Sequence, residues 1–186
     1  MNSEMTTLKI NRPDETEYQA YYGKYVSLVQ GDDIIAALSG QISETLALLR
    51  SVPESEAGFR YADGKWSIKE LVGHIIDGER IFAYRALRFA RNDRTPLPGF
   101  EQDDYIRHAS FDACSLGDLA AEFESVRQST LFLFRHLDAD AWRRRGMASE
   151  NEVSVRALAY IIAGHELHHA GILRDRYLSP SAAPSS

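Results

Sequence analysis

Two histidines near the end of the chain are spaced to bind one metal ion. His165 and His169 belong to the segment Gly164-His165-Glu166-Leu167-His168-His169. Side chains four residues apart share one face of a helix, with Cβ atoms about 5–6 Å apart, so both imidazoles can reach the same ion. Leu158, Ile162 and Ile172 continue this face in steps of three and four residues, which predicts that it turns inward. Because buried imidazoles without a partner would leave polar nitrogens unsatisfied, we predict that they bind a metal.

The same segment also fits the pattern H-E-x-x-H, in which the glutamate is the general base of a zinc protease. Such enzymes need a third ligand downstream, and no Glu or His follows His169. Glu166 lies about 100° around the helix from His165, where it could instead brace a neighbouring side chain. We therefore disfavour the protease interpretation. His168 could chelate as an i,i+3 partner, but we interpret it as a neighbour of the ligands or a surface residue.

Four helical segments must position these histidines. Each begins at acidic or serine residues that can cap a helix, and in each the apolar residues recur at helical spacing. The predicted helices cover 32–52, 67–91, 115–137 and 154–177. We find no strand pattern and interpret Trp142-Arg143-Arg144-Arg145-Gly146 as a basic turn. The sequence therefore predicts an all-α fold, a four-helix bundle.

The lengths of the connections predict the order of the helices. Between the second and third helices, residues 92–115 form a proline-containing loop long enough to carry the chain from one end of the bundle to the other. We therefore predict an up-down-down-up bundle, in which the second helix is antiparallel to the fourth. His74 then lies about 10 Å from the start of its helix, and His169 about 12 Å from the end of its own. Because these heights match, His74 is the predicted third ligand.

Gly78 lies one turn after His74 on the same predicted helix. A glycine in a helix interior costs about 1 kcal/mol relative to alanine. We therefore expect another segment of backbone, or a bound group, to come close at this position.

Three histidines predict an open metal site. Structural zinc takes four protein ligands, whereas a catalytic ion keeps a position for water or substrate. Imidazole ligands suit several divalent metals; we favour zinc or nickel, and iron, cobalt or manganese are also compatible. Water on such an ion can have a pKa near 7 and act as a nucleophile.

Composition and charge limit the classes of binding partner and the cellular locations that we expect. A net charge of −6 disfavours binding to nucleic acid or to an anionic membrane. No apolar run approaches the roughly 20 residues of a membrane span, and the first 30 residues contain no stretch of signal-peptide type. The single cysteine, Cys114, excludes an internal disulfide and a cysteine-based zinc site, and we interpret it as a packing residue. We therefore expect a cytoplasmic protein that acts on a small molecule.

Two segments flank the predicted bundle of residues 32–178. Residues 1–31 form an N-terminal arm without a clear period, and its tyrosines suggest that it packs onto the bundle. These are Tyr18, Tyr21, Tyr22 and Tyr25. A platform for stacking bases is the alternative, which the acidic charge disfavours. Residues 179–186 are small and proline-containing, and we predict a disordered tail.

Two further features could belong to a substrate site. Arginines near the end of the second helix could bind carboxylates, although we favour a solvated face with cations near a helix C-terminus. They are Arg80, Arg85, Arg88, Arg91 and Arg94. The loop from Thr95 to Tyr105, which carries Asp103 and Asp104, could cover the site as a lid or serve as a plain strap. His108 and His136 have no partner at ligand spacing, so we expect structural or exposed roles for them.

The chain resembles the DinB/YfiT-like superfamily from about residue 32 to 178. The resemblance rests on Lys65-Trp66-Ser67-Ile68-Lys69-Glu70 leading into Gly73-His74, together with Gly164-His165-Glu166-Leu167-His168-His169. It implies an up-down-down-up bundle, one divalent metal on His74, His165 and His169, and frequent homodimers. The N-terminal arm and the 96–105 loop are not part of the general family pattern, so a substrate does not carry over.

Members of this superfamily include thiol-dependent S-transferases and isomerases, and also proteins described as hydrolases. The resemblance implies a metal-dependent enzyme, either a hydrolase or a low-molecular-weight-thiol S-transferase. Both fit, because a Lewis-acidic ion lowers the pKa of whichever water or thiol it binds. A non-catalytic metal-binding stress-response protein is the alternative, and the sequence leaves this choice open.

Overall fold

Helices make up most of the chain in the structure, a computed structural model that describes residues 10–179. The predicted disordered tail, except Ser179, and residues 1–9 of the predicted arm lie outside this range. The α-helices are α1 (Gly23–Val26), α2 (Ile34–Arg50), α3 (Ile68–Ala90), α4 (Gln102–His108), α5 (Leu116–Arg135), α6 (Ala139–Arg143) and α7 (Val155–Ile172). Two strands, β1 (Arg145–Ala148) and β2 (Asn151–Ser154), form an antiparallel hairpin. A π-helical turn, Leu173–Tyr177, follows α7.

The four long helices α2, α3, α5 and α7 are the four helices that the sequence predicts. Each begins where a side-chain oxygen accepts a hydrogen bond from a backbone N–H of the first turn. The capping residues are Asp33, Ser67, Ser115 and Ser154. The predicted fold class, an all-α four-helix bundle, is confirmed. None of the described helices is long and apolar enough to cross a membrane.

The prediction that the chain has no strand was wrong. Of the expected basic turn, Trp142 and Arg143 end α6, and Arg145 and Gly146 begin β1. Ser149 and Glu150 join the strands, and both have a positive φ, of 51° and 63°. Hairpin turns with such angles usually contain Asn or Gly. The turn therefore gives no recognisable signal in the sequence.

The crossover between α3 and α5 is attached to this hairpin. The backbone N–H of Leu97 donates to Met147 (2.9 Å), and the carbonyl of Leu97 accepts from Ser149 (3.0 Å). Arg85 of α3 is 3% exposed and donates to the Pro98 carbonyl (2.8 Å) and to the Ser149 hydroxyl (3.0 Å). The expectation of a solvated face was therefore wrong for Arg85, which joins α3, the crossover and the hairpin.

Contacts at the helix ends indicate how the bundle is arranged around α7, which packs against α1, α2 and α3. Tyr177, just after α7, donates to the Trp66 carbonyl just before α3 (2.7 Å). The end of α7 therefore lies near the start of α3. Ser67 at the start of α3 donates to Asp112 shortly before α5 (2.9 Å), and α3 packs along α5. The start of α3 therefore lies near the residues just before α5, and the up-down-down-up order stays a prediction.

The described part of the N-terminal arm is joined to the start of α7 by three residues that we call the arm cluster: Glu17, Ser154 and Arg156. The Glu17 carboxylate is 3% exposed and accepts from the Ser154 hydroxyl and the Arg156 Nε, both at 2.7 Å. It also accepts from the backbone N–H of Asp14 (2.9 Å). Burial alone would raise the pKa of Glu17, but the hydrogen bonds from Arg156, Asp14 and Ser154 together lower it to about 2.

Candidate metal centre

Helices α3 and α7 bring together the three predicted ligands. Ring centroids are 4.8 Å apart for His74 and His165, 4.8 Å for His74 and His169, and 4.5 Å for His165 and His169. One nitrogen from each ring can be chosen so that all three lie within 4.8 Å of one another. The Nε2 atoms of His74 and His165 face each other at 2.9 Å. The imidazoles therefore converge on one small volume between the two helices.

Gly78 makes this convergence possible. A Cβ atom added at Gly78 would lie 2.9 Å from Cε1 of His165, closer than real Cβ contacts allow. The ring of His165 therefore occupies the space that a side chain on α3 would fill. The sequence predicts a close approach at Gly78 by a backbone or a bound group, but the group that comes close is a side chain.

The site holds its histidines in the neutral form that binds metals. His74, His165 and His169 are 4%, 5% and 7% exposed. Burial lowers the pKa of His74 to about 4 and that of His169 to about 2, and holds the pKa of His165 well below its usual value. The Asp103 carboxylate raises the pKa of His74, whereas the Lys24 ammonium lowers those of His165 and His169. Neutral imidazole is the ligand form, so no proton has to leave at neutral pH.

His169 carries the strongest indication of a missing partner. Both of its ring nitrogens are buried, and neither has a hydrogen-bond partner among residues 10–179. Buried polar atoms in native proteins are nearly always satisfied, and those that are not need an explanation. A cation bound at this point would use one of these nitrogens, so the donor set fits a divalent metal.

Aromatic side chains enclose the cluster. The Trp66 ring lies 4.7 Å from that of His74, and the Tyr25 ring lies 5.4 Å from that of His165. Tyr25 belongs to α1, which packs closely on α7 at Gly164. The backbone carbonyl of Tyr25 occupies the space that a Cβ on Gly164 would need. The described part of the arm therefore forms one wall of the site.

His168 lies beside the cluster without joining it. It is partly exposed, and its ring packs against Tyr25 at 5.3 Å and His169 at 5.0 Å. The three-histidine group that could hold an ion comprises His74, His165 and His169. The structure thus agrees with the interpretation of His168 as a neighbour of the predicted ligands.

Glu166 lies in the bundle core, where it is 1% exposed. Its Oε2 accepts from Gln41 Nε2 and lies 2.8 Å from the Arg127 guanidinium. Arg127 also donates to both carboxylate oxygens of Glu79, at 2.8 and 2.7 Å, and to the Leu38 carbonyl at 3.0 Å. We call Gln41, Glu79, Arg127 and Glu166 the core cluster. In this position Glu166 is not placed as the general base of a zinc protease.

Sequence reasoning missed Glu79 and Arg127, although a signal was present. Glu79 lies four residues after Ile75, and Arg127 lies four residues after Phe123, so each charge continues an apolar helical stripe. Charged residues are almost never fully buried unless they are paired. Two opposite charges on inward faces of different helices therefore indicate a buried ion pair.

The remaining candidates lie outside the three-histidine cluster. Arg80, Arg91 and Arg94 are exposed, and Arg88 pairs with Asp93. His108 and His136 are exposed, as the sequence predicts, and Cys114 is partly buried beside Ser110. In the first half of the crossover, Leu97 is hydrogen-bonded to the hairpin. In the second half, Asp103 on α4 is close enough to raise the pKa of His74. Asp103 thus places part of the second half of the crossover near the site.

The fold and the site define a four-helix bundle with three converging, buried histidines on two neighbouring helices. A family model for the DinB superfamily matches residues 37–173. The chain belongs to the DinB superfamily.

Two known proteins are similar to this chain, one by its sequence and one by its structure. A protein of Oceanobacillus iheyensis, named as a candidate metal-dependent hydrolase, is 25% identical over 137 residues, which cover 73% of this chain and 76% of the relative. The structure of YfiT from Bacillus subtilis, described as a candidate metal-dependent hydrolase with an unusual four-helix bundle topology, has a TM-score of 0.63 at 14% identity. That match covers 89% of this chain and 91% of YfiT.

The structure of a mycothiol-dependent maleylpyruvate isomerase is also similar. Its TM-score is 0.63 at 15% identity, and the match covers 78% of this chain and 61% of the isomerase. At these identities the two solved structures show the shared fold alone.

Proposed function

We propose that this chain is a metal-dependent hydrolase that holds one divalent ion on His74, His165 and His169. The observation that carries the proposal is the pair of buried His169 nitrogens without a hydrogen-bond partner among the described residues. The names of the relative from Oceanobacillus iheyensis and of YfiT support the same class. Zinc and nickel are the favoured metals, because both accept imidazole ligands at an open site.

When bound, such an ion lowers the pKa of a water molecule toward about 7 and so supplies a nucleophile at neutral pH. The chain contributes the surroundings of that chemistry. Trp66 and Tyr25 cover the imidazoles and limit the access of bulk water. Lys24 and Asp103, both exposed, place opposite charges on the α1 and α4 sides of the site. This arrangement suits a small polar substrate.

A low-molecular-weight-thiol S-transferase is the second candidate, favoured by the structural similarity to a mycothiol-dependent isomerase. The same imidazoles would serve, since a thiol is activated by a Lewis acid as water is. Two assays run in parallel separate hydrolysis from thiol transfer. One supplies ester or amide substrates in water, and the other supplies a low-molecular-weight thiol together with an electrophile that the thiol can attack. Metal uptake with neither activity would favour the non-catalytic stress-response protein.

We further propose a cytoplasmic homodimer that does not bind nucleic acid. The net charge of −6 supports the last point. Light scattering at micromolar concentration should give about twice the chain mass of 20.9 kDa. A mass near that of one chain would contradict the dimer.

Elemental analysis of histidine variants tests the ligand set. His74→Ala, His165→Ala and His169→Ala should each lose stoichiometric metal, because two imidazoles rarely hold an ion at an open site. His136→Ala removes an exposed histidine outside the cluster and should retain full metal content. His168→Ala should also retain it. Full occupancy in His74→Ala would contradict the three-histidine site.

A further inference from the structure

The core cluster is a buried group of charges in which the two signs do not balance. The side chains of Arg127, Glu166 and Glu79 are 0%, 1% and 2% exposed. One guanidinium therefore faces two carboxylates, and Gln41 adds no charge. The cluster thus carries a formal charge of −1 inside the bundle.

The excess charge falls on Glu166. Glu79 uses both of its oxygens to accept from Arg127, whereas Glu166 meets Arg127 and Gln41 with Oε2 alone. Its other oxygen, Oε1, is buried and has no hydrogen-bond partner among the described residues. Burying a charge is costly unless another charge compensates for it. Arg127 is already matched by Glu79, so a second cation near Glu166 would balance the cluster.

The only such cation that the proposed function supplies would lie next to it. Glu166 directly follows His165 on α7, and Glu79 directly follows Gly78 on α3. The His165 ring rests on Gly78. The two carboxylates of the core cluster therefore lie on α3 and α7, each one residue after the contact between Gly78 and His165.

We propose that Glu166 is the counter-charge of the divalent ion, a positioning residue that acts through the protein on metal affinity without ligating. This inference rests on the proposed metal site. Arg127 holds Glu166 in place, and by bridging Glu79 it fixes α3 against α7 at the height where the histidines converge. Groups that surround metal ligands typically change metal affinity by about 10–100-fold when they are replaced.

Glu166→Gln separates charge from structure. Glutamine keeps an oxygen that can accept from Gln41 and Arg127, and its amide group takes the place of Oε1, which has no partner. The cluster becomes neutral with these contacts retained. We expect the affinity for Zn²⁺ to fall about tenfold, while the melting temperature of the metal-free protein stays the same or rises.

Two further variants complete the test. Glu79→Gln also makes the core cluster neutral, and it should lower Zn²⁺ affinity even if Glu166→Gln does not fold. Glu17→Gln removes a buried carboxylate from the arm cluster, which is balanced and lies at the start of α7, whereas His165 and His169 lie in its second half. It should lower stability and leave Zn²⁺ affinity unchanged.

The measurement is calorimetric titration of the full, metal-depleted chain with Zn²⁺, paired with thermal melting of each metal-free variant. Weaker Zn²⁺ binding in Glu166→Gln without loss of metal-free stability supports the counter-charge. If the wild type binds Zn²⁺ and Glu166→Gln binds it equally tightly, the counter-charge is overturned. A loss of affinity in Glu166→Gln that is accompanied by an equal loss of metal-free stability would also overturn it. A wild type that takes up no Zn²⁺ would overturn the metal site together with the counter-charge.

Discussion

The arm cluster and the core cluster both bury a carboxylate against an arginine, yet only one of them is complete. In the arm cluster, Glu17 meets a single guanidinium, and both of its oxygens accept hydrogen bonds. In the core cluster, Glu166 competes with Glu79 for Arg127 and keeps a buried oxygen without a partner among the described residues. The complete cluster joins two segments of the chain. The incomplete one adjoins the three histidines, which suggests that its missing charge is the metal.

Removing the arginine from each cluster should give the largest difference between them. Arg127→Met would leave two carboxylates in the core without a cation, and breaking a buried pair in this way costs about 3–5 kcal/mol. Arg156→Met, at a partly exposed position, should cost about 1–3 kcal/mol. Urea unfolding of the metal-free proteins measures both values. If both variants lost the same free energy of unfolding, the core cluster would not be the more poorly balanced of the two.

The pH dependence of the arm cluster sharpens the comparison. Because the pKa of Glu17 falls from 4.5 to about 2 on folding, its ionised form stabilises the protein fully above pH 4.5, and this contribution disappears as the pH falls through 2. Glu17→Gln should therefore be less stable than wild type by about 1–2 kcal/mol at pH 7, and by less at pH 3. Unfolding curves of both proteins at the two pH values check this. A difference that is constant with pH would show that the ionised carboxylate is not what stabilises the arm.

The smallest expected effect concerns Gly78, the glycine against which the His165 ring packs. Gly78→Ala should displace the His165 ring and weaken Zn²⁺ binding several-fold, even though alanine favours the helix by about 1 kcal/mol. Gly40 is the matched control, because it lies within α2 and a Cβ added there meets nothing within 4 Å. Gly40→Ala should raise stability and leave Zn²⁺ affinity unchanged. Tight binding in Gly78→Ala would show that the close approach at this glycine does not set the site.

Much of the fold could be predicted because its signals are local. Serine or aspartate caps and helical stripes identify the four long helices, and matching heights on two helices identify His74 as a partner for His165 and His169. The hairpin was missed because Ser149 and Glu150 adopt positive φ without Gly or Asn. Local sequence patterns cannot show such a turn.

The core cluster was missed for a different reason. Glu79 and Arg127 are 48 residues apart, and Gln41 and Glu166 are 125 residues apart. No pattern within one segment pairs these side chains. Their charges on inward helix faces are visible in the sequence, but the partners follow only from the packing of the bundle.

The position of the arm has a consequence for how the site is assembled. The arm packs on α7 through α1 and through the bond between Glu17 and Ser154. Helix α1 has four residues, too few to be stable alone, so it needs the packed surface of α7 in order to form. We therefore expect the four long helices to associate first and the arm to bring Tyr25 over His165 last. Until then the imidazoles remain open to solvent, which gives a metal ion a period during folding in which to enter.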